Sequence, residues 1–448
     1  MSKDVIQSRA GFCVLLLCSG AFYLSDGAFL DNEWMEMNPP SGPSARWSLG
    51  LEFDSANGVC ILFGGQDGSQ EFDDTWLYDY AANTWTEVNP TISAPSRFGH
   101  NMAYNSADSV IVLFGGVSCY DSKSACGDTW IYSVADSQWT EMTPAISPPA
   151  RAYCGLVYDS VHNAVILFGG YNYVIGQYYN DTWVYDLGSN TWTNMNPSTK
   201  PCLRNCHGMA FDSANGVVVM HGGWLYPNML GDTWTYDAGT NTWTDMSPAN
   251  SPPSNYQHDI AFDSASNTTV LFGGFNRNTM TYYEDTWVYD YSANSWTDAE
   301  PVTHPTGRGK FKLAYDSLDQ RFILFGGYAP ASGETWAYEP AYVAVESYET
   351  EMLPESNGFH LSCQNPAITG FALLRYHAPI ETALVLRMYD SAGRLERTFV
   401  NGIEAYGAHE LFIDTGELAS GMHLVTLQFE DGSGHQGMIS EKIVVIGR

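Results

Sequence analysis

The stretch Arg151-Ala152-Tyr153-Cys154-Gly155-Leu156-Val157-Tyr158-Asp159, with Ala164-Val165-Ile166-Leu167-Phe168-Gly169-Gly170 after it, decides the fold. Ala152 to Tyr158 reads as a first strand, Asp159 to Asn163 as a turn, and Ala164 to Phe168 as a second strand that stops at Gly169-Gly170. Beyond a loop, Asp181 to Tyr185 reads as a third strand, Asp186 to Asn190 as a polar turn and Thr191 to Met195 as a fourth. The second segment is apolar throughout, as expected of a strand covered on both faces. The third and fourth alternate around Trp183, Tyr185 and Trp192, the period of a half-buried strand. The glycine pair permits a backbone conformation or a close approach that a side chain would block.

This unit is one of a series. A Gly-Gly pair after a short apolar run recurs six times, its second glycine at Gly65, Gly116, Gly170, Gly223, Gly274 and Gly327, at intervals of 51, 54, 53, 51 and 53 residues. After each pair comes an acidic-Thr-Trp triplet, with Trp76, Trp130, Trp183, Trp234, Trp287 and Trp336; nine residues after the first five stand Trp85, Trp139, Trp192, Trp243 and Trp296. The period fits one four-stranded propeller blade. The sixth unit, Arg308 to Tyr338, supplies only three strands, but Glu33-Trp34-Met35-Glu36-Met37-Asn38-Pro39 matches Thr84-Trp85-Thr86-Glu87-Val88-Asn89-Pro90 almost residue for residue. An amino-terminal strand that completes the last unit would close a ring of six and remove its exposed edges. Twelve of the fourteen Trp then read as core wedges.

The Gly-Gly pair, the two spaced Trp and the Arg that precedes five of the six units resemble kelch repeats over residues 29–340. The resemblance implies an all-β fold: a six-bladed kelch β-propeller, galactose-oxidase-like, closed by the amino-terminal strand. The superfamily hosts enzymes, sugar binders and protein adaptors, so the fold names no activity. The Tyr, His and crosslinked Cys of its copper-radical sugar oxidases do not map onto this chain, and no catalytic residue, metal or cofactor is carried over.

Flanking segments read differently. Lys3 and Arg9 precede an apolar stretch from Gly11 to Cys18 and a small-residue site, Ser19-Gly20-Ala21, so residues 1–21 read as a secretory signal peptide. The run is shorter than the ~20 apolar residues that cross a bilayer, and Leu16-Leu17 before Cys18 argue against lipidation. Residues 341–355 read as a linker. From residue 356 to 448 short alternating strands suggest a β-sandwich. There Asn365-Pro366-Ala367, Met388 to Arg394, Leu418 to Leu424 and Lys442 to Ile446 resemble the carboxy-terminal sorting domain of bacterial type IX secretion, related to the flagellar-hook-capping Ig-like domain. That likeness implies passage through type IX-like machinery to a secreted or outer-membrane surface location.

Charge limits the partners. The chain has 19 Lys plus Arg against 50 Asp plus Glu, a formal net charge of −31, which excludes nucleic acid, since phosphate binding needs a surplus of cations. Aromatic residues make up 14% and charged residues only 15%, a folded, sheet-rich composition rather than a disordered tail. Without the signal, Cys60, Cys119, Cys126, Cys154, Cys202, Cys206 and Cys363 remain; Cys119 with Cys126 and Cys202 with Cys206 are local pairs that an oxidising compartment would allow to close.

Two sets of residues are candidates for recognition. Arg46, Arg97, Arg151, Arg204 and Arg308 share one register, with Asn255 in the fifth unit. They form either a ring of forked donors for carboxylates or internal pairs with an acid at the same end of a third strand: Asp74, Asp128, Asp181, Asp232, Asp285 or Glu334. Trp47 and Trp224 lie outside the repeat register and belong, with Tyr173, Tyr226 and Tyr282, to the face that carries the loops after Gly-Gly. They serve as a recognition surface or as small cores under the loops. Three residues past the Arg register stand His100, Cys154, His207 and His258; their spread around a ring argues for packed histidines rather than a metal site. The function expected is a monomeric binding module for glycans or proteins. The alternatives are a carbohydrate-active enzyme of the kelch oxidase or sialate mutarotase type, and a structural envelope component.

Overall fold

The computed structural model describes residues 32–118, 124–328 and 330–340, and beyond them the strands of a second unit between His360 and Val445. The signal segment 1–21, the linker 341–355 and Cys119 lie outside the described residues. The chain divides into two compact units, Met1–Tyr342 and Val343–Arg448. No helix occurs among the described residues.

The first unit contains six four-stranded antiparallel sheets. That of the third repeat runs Gly155–Asp159, Ala164–Phe168, Thr182–Asp186, Thr191–Asn194. Its second strand is buried at every position, which accounts for its unbroken apolar sequence. The first strand begins three residues later than the pattern suggests. Tyr153 takes a left-handed φ of 53°, and Ala152 pairs with Tyr171 beyond the glycines, so the chain kinks before the ladder starts. In the sixth sheet Lys312–Asp316, Arg321–Phe325 and Thr335–Glu339 are joined by Glu33–Glu36, with Trp34 opposite Tyr338 and Glu36 opposite Trp336.

Six apolar clusters lie between successive sheets. That of the third sheet packs Val112 and Phe114 of the second against Val165, Leu167 and Trp192, and another joins Leu62 and Trp85 of the first sheet to Ile323 and Phe325 of the sixth. The second Trp of each unit is the wedge. Trp34, Trp85, Trp139, Trp192, Trp243 and Trp296 are buried, and each indole N–H donates to the hydroxyl of a buried Thr on the neighbouring sheet: Thr286, Thr335, Thr75, Thr129, Thr182 and Thr233, at 2.9–3.0 Å. The first Trp of each unit is a less complete wedge: Trp130 and Trp183 are buried in the clusters between sheets, while Trp76, Trp234, Trp287 and Trp336 are half-buried and pack against those clusters.

The innermost strands contact one another in order, and the last contacts the first. At their starts a circuit of backbone hydrogen bonds runs from Gly99 N to Ser48 O, Tyr153 N to Gly99 O, Cys206 N to Tyr153 O, Gln257 N to Cys206 O, Lys310 N to Gln257 O and Ser48 N to Lys310 O, at 2.7–3.0 Å. All six residues have φ between 53° and 66°, so the left-handed kink is what turns each N–H toward the preceding unit.

The second unit has a three-stranded sheet, His360–Cys363, Phe371–Ala378, Gly407–Asp414, and a four-stranded one, Leu395–Glu404, Thr382–Tyr389, Gly421–Glu430, Gln436–Val445. Leu374 and Tyr376 of the first sheet, and Leu384, Leu386, Met388, Val425 and Leu427 of the second, are buried with the period of two that a sheet core requires.

Candidate binding face

Each sheet of the first unit has two different ends. At one, tight turns open with Asp54, Asn105, Asp159, Asp212, Asp263 or Asp316, whose side-chain oxygen accepts the N–H groups two and three residues on. At the other, the Gly-Gly pair releases the longer loops and the Arg register begins the next inner strand.

The five arginines are structural latches. Arg46, Arg97, Arg151, Arg204 and Arg308 are 0–3% exposed. In Arg97, Nη1 and Nη2 donate to Asp128 Oδ1 and Oδ2 at 2.8 and 2.7 Å, Nη1 also to Gly115 O at 3.1 Å, and Nε to Pro95 O at 3.0 Å. The same set recurs for Arg46 with Asp74, Arg151 with Asp181 and Arg204 with Asp232, while Arg308 reaches Glu334 through one oxygen at 2.6 Å. The first Trp of each of these units donates its indole N–H to the same carboxylate, as Trp183 does to Asp181 at 2.7 Å. With their N–H groups committed and no solvent contact, these guanidinium forks face the fold rather than a ligand. Burial pushes Asp128, Asp181 and Asp232 up, but the guanidinium and indole bonds outweigh it and hold all three below the usual carboxylate range. In the fifth unit Asn255 replaces the Arg and keeps only the glycine contact, Nδ2 to Gly273 O at 3.1 Å. Asp285, left without a guanidinium, is pushed up by burial and by Asp298 and Glu284.

The aromatic candidates divide. Trp47 and Trp224 are buried, and Tyr282 is half-buried. Trp224 stacks on Tyr256 at 5.0 Å and, with Phe275, Tyr178, Met229 and Tyr282, makes a small core under the loops of the fourth and fifth units; Trp47 packs edge-on against Tyr328 at 4.9 Å. Tyr173 and Tyr226 reach solvent. Around them are residues that the sequence pattern did not single out. Val174, Ile175 and Met280 are 66%, 67% and 71% exposed at the tips of the hairpins Tyr171–Asn172 with Gln177–Tyr178, and Phe275–Asn276 with Thr281–Tyr282. In the fourth unit the hairpin is continuous with the sheet, Val217–Leu225 pairing with Asn228–Asp237, and Tyr226 is at its tip.

Where the inner strands begin, Tyr153 crosses over Gly99, whose hypothetical Cβ would lie 2.8 Å from the ring, and its hydroxyl is 3.4 Å from Ser48 Oγ. Below is a cavity of about 60 Å³, lined in part by Ser48, His100, Tyr153, His207, Lys310 and Lys312. Lys312 Nζ lies 3.4 Å from Asp259 Oδ1. Glu52, in the next layer of inner-strand side chains, is pushed up to about 8 by loss of hydration, which outweighs the attraction of Lys312.

The histidines are packed residues. His100, His207 and His258 are buried, and burial holds His100 and His207 well below the ordinary imidazole range and His258 at about 4. Among the described residues no three His, Cys, Asp or Glu are placed to hold a metal. Cys202 and Cys206 are both free thiols, Cys202 exposed and Cys206 half-buried beneath the loops.

Comparison with known proteins agrees with this arrangement. The family model of the KLHDC2/KLHL20/DRC7 Kelch-repeats domain matches residues 20–152 and 143–327. Kelch domain-containing protein 3 of Homo sapiens is 23% identical over 306 residues, which cover 61% of this chain and 75% of that protein. The flagellar outer arm dynein alpha chain of Chlamydomonas reinhardtii is 26% identical over 294 residues, covering 60% of this chain and 6% of its own length. Putative protein tag-53 of Caenorhabditis elegans is 21% identical over 326 residues, covering 68% and 24%. With the repeat, its latch and its Trp wedge accounted for residue by residue, the chain belongs to the Kelch-repeat family.

Proposed function

We propose that the six sheets are the blades of a propeller closed by Glu33–Glu36, and that its Gly-Gly end docks a partner protein. Closure is supported by the two circuits of hydrogen bonds, Trp to Thr and backbone to backbone, each of which returns to its starting sheet. One observation carries the binding reading. Of the twelve large apolar side chains exposed among the described residues, six, Tyr173, Val174, Ile175, Tyr226, Met280 and Tyr328, lie in the loops after Gly-Gly; Ile92, Ile146, Leu203 and Val302 lie on the connections between units, and only Val161 and Leu318 on the turns at the opposite end. An exposed apolar surface gathered on one face marks an interaction site. A protein suits this face better than a glycan, because its most exposed tips, Val174, Ile175 and Met280, are aliphatic, and the exposed rings of Tyr173, Tyr226 and Tyr328 serve peptide packing equally well. Export belongs to this reading through the amino-terminal segment of Lys3 to Ala21, and the second unit, with its seven strands in two sheets, is read as the Ig-like sorting sandwich.

The test is selection of a peptide library on the wild-type chain and on a chain carrying Val174→Ser, Ile175→Ser, Tyr226→Ser and Met280→Ser. Peptides that bind the first and lose the second support the face. Peptides indifferent to all four substitutions place recognition elsewhere.

A further inference from the structure

At the centre of the Gly-Gly end the six left-handed residues of the backbone circuit surround the start of the inner strands. Half of this opening is occupied by Tyr153, which lies over Gly99 and reaches Ser48. The other half is bordered by Cys206, Gln257 and Lys310, in the fourth to sixth units, the arc that also carries Tyr226, Met280 and the half-exposed Tyr328.

Lys310 is an unusual cation for this chain. The five latch arginines are each neutralised by a carboxylate, and Lys312, two residues on, has Asp259. Lys310 is half-buried and, among the described residues, makes no ion pair; its Nζ lies 5.4 Å from the ring centroid of Tyr328. Partial burial already draws its pKa below the ordinary amine range. An ammonium held against an aromatic ring and partly dehydrated gains strongly from a carboxylate, since the desolvation cost is already met. Arg277, exposed and 5.5 Å over the Trp224 ring, adds a second cation on the same side, with no ion-pair partner among the described residues.

We propose that the partner protein inserts an acidic side chain, Asp or Glu, into the open half of this mouth, where its carboxylate accepts hydrogen bonds from Lys310 Nζ beside Tyr328. The apolar tips of the third to fifth units then hold the flanking residues of the same segment. This deepens the docking-face reading and depends on it.

The probe is a random peptide library displayed internally, without free carboxy termini, and selected on the full chain, followed by affinity measurement on amidated synthetic peptides. Wild type should enrich one invariant Asp or Glu beside apolar residues. Lys310→Gln should weaken the best peptide about 30-fold or more, the loss expected when one partner of a desolvated charge pair is removed. Changing the peptide's acid to its amide should cost the same and add nothing in the Lys310→Gln background, while Lys310→Arg should retain most of the affinity. Unchanged melting of both variants separates recognition from folding. Peptides that bind but ignore Lys310, or need a free carboxy terminus, overturn the proposal and leave the docking face intact. A library that enriches nothing overturns both.

Discussion

Trp34→Ala tests the closing strand directly. The indole is 1% exposed, stacks on Tyr338 at 4.9 Å, meets Phe272 at 4.8 Å and donates to Thr286 Oγ1 at 2.9 Å. Emptying such a site costs about 3–5 kcal/mol through lost burial and the cavity left behind. Removing the donor strands a buried hydroxyl for about 1 kcal/mol more. Unfolding entropy for a unit of about 310 residues is roughly 0.65 kcal/mol per degree, so a loss of about 4–6 kcal/mol lowers its melting temperature by roughly 6–9 °C. Calorimetry reads this drop, with Trp139→Ala as the comparison: it has similar burial and the same indole-to-Thr bond, to Thr75, but all four strands of its sheet come from one stretch, Asn101 to Met142. Trp34→Ala should also shorten the half-life toward trypsin, because Glu33–Glu36 is held by one neighbouring strand and the wedge. A variant that melts within about 2 °C of wild type, with unchanged proteolysis, while Trp139→Ala falls as expected, would refute the argument that this strand completes the fold.

Arg151→Met should destabilise by about 3 kcal/mol, because the half-buried Asp181 loses its bidentate partner, and pairing it with Asp181→Leu should recover much of that loss in urea titrations. Asn255→Arg should raise the melting temperature by giving Asp285 the guanidinium that the other five carboxylates have; a lower melting point would mean the fifth unit has no room for it. Glu52→Gln should flatten the pH dependence of stability on the alkaline side. The folded-state pKa of Glu52 is raised from 4.5 to about 8, so its favourable contribution is complete below 4.5 and is lost as pH climbs toward 8. At pH 8.5 the variant should therefore melt no lower than wild type, and a wild-type advantage there would reverse the sign assigned to Glu52.

Much of the fold is legible because the repeat dictates it. Apolar runs such as Ala164–Phe168 have one possible role, and the match of Glu33–Pro39 to Thr84–Pro90 already points to the strand that joins the sixth sheet. The Arg register is visible in the same way, and so are the acids that it meets. Repetition also hides differences. Trp183 and Trp192 look alike in sequence and share one cluster, yet the indole of Trp192 donates to Thr129 of the neighbouring sheet while that of Trp183 donates to the carboxylate at its own sheet end. Trp47 and Trp224 are equally ambiguous. Ring count alone cannot say whether such an aromatic is spent on packing against the neighbouring unit, and here both are. The exposed tips escape because Val174, Ile175 and Met280 have no register, and Lys310 because its neighbours in the register are Ser48, Gly99, Tyr153, Cys206 and Gln257, which share no chemistry.

That irregularity has a physical cause. The backbone circuit requires a left-handed φ at six positions but no particular side chain, and it tolerates serine, glycine, tyrosine, cysteine, glutamine and lysine alike. The Trp-to-Thr circuit lies one layer out and depends on strand residues alone. The Trp-to-Thr bonds are thus made by residues away from the hairpin tips, and Val174, Ile175, Met280 and Lys310 can vary without touching them. A residue such as Lys310, set on a backbone held by two closed circuits and left without a carboxylate, has the rigidity of the core and the chemical freedom of a loop. Those are the two properties that a recognition residue needs.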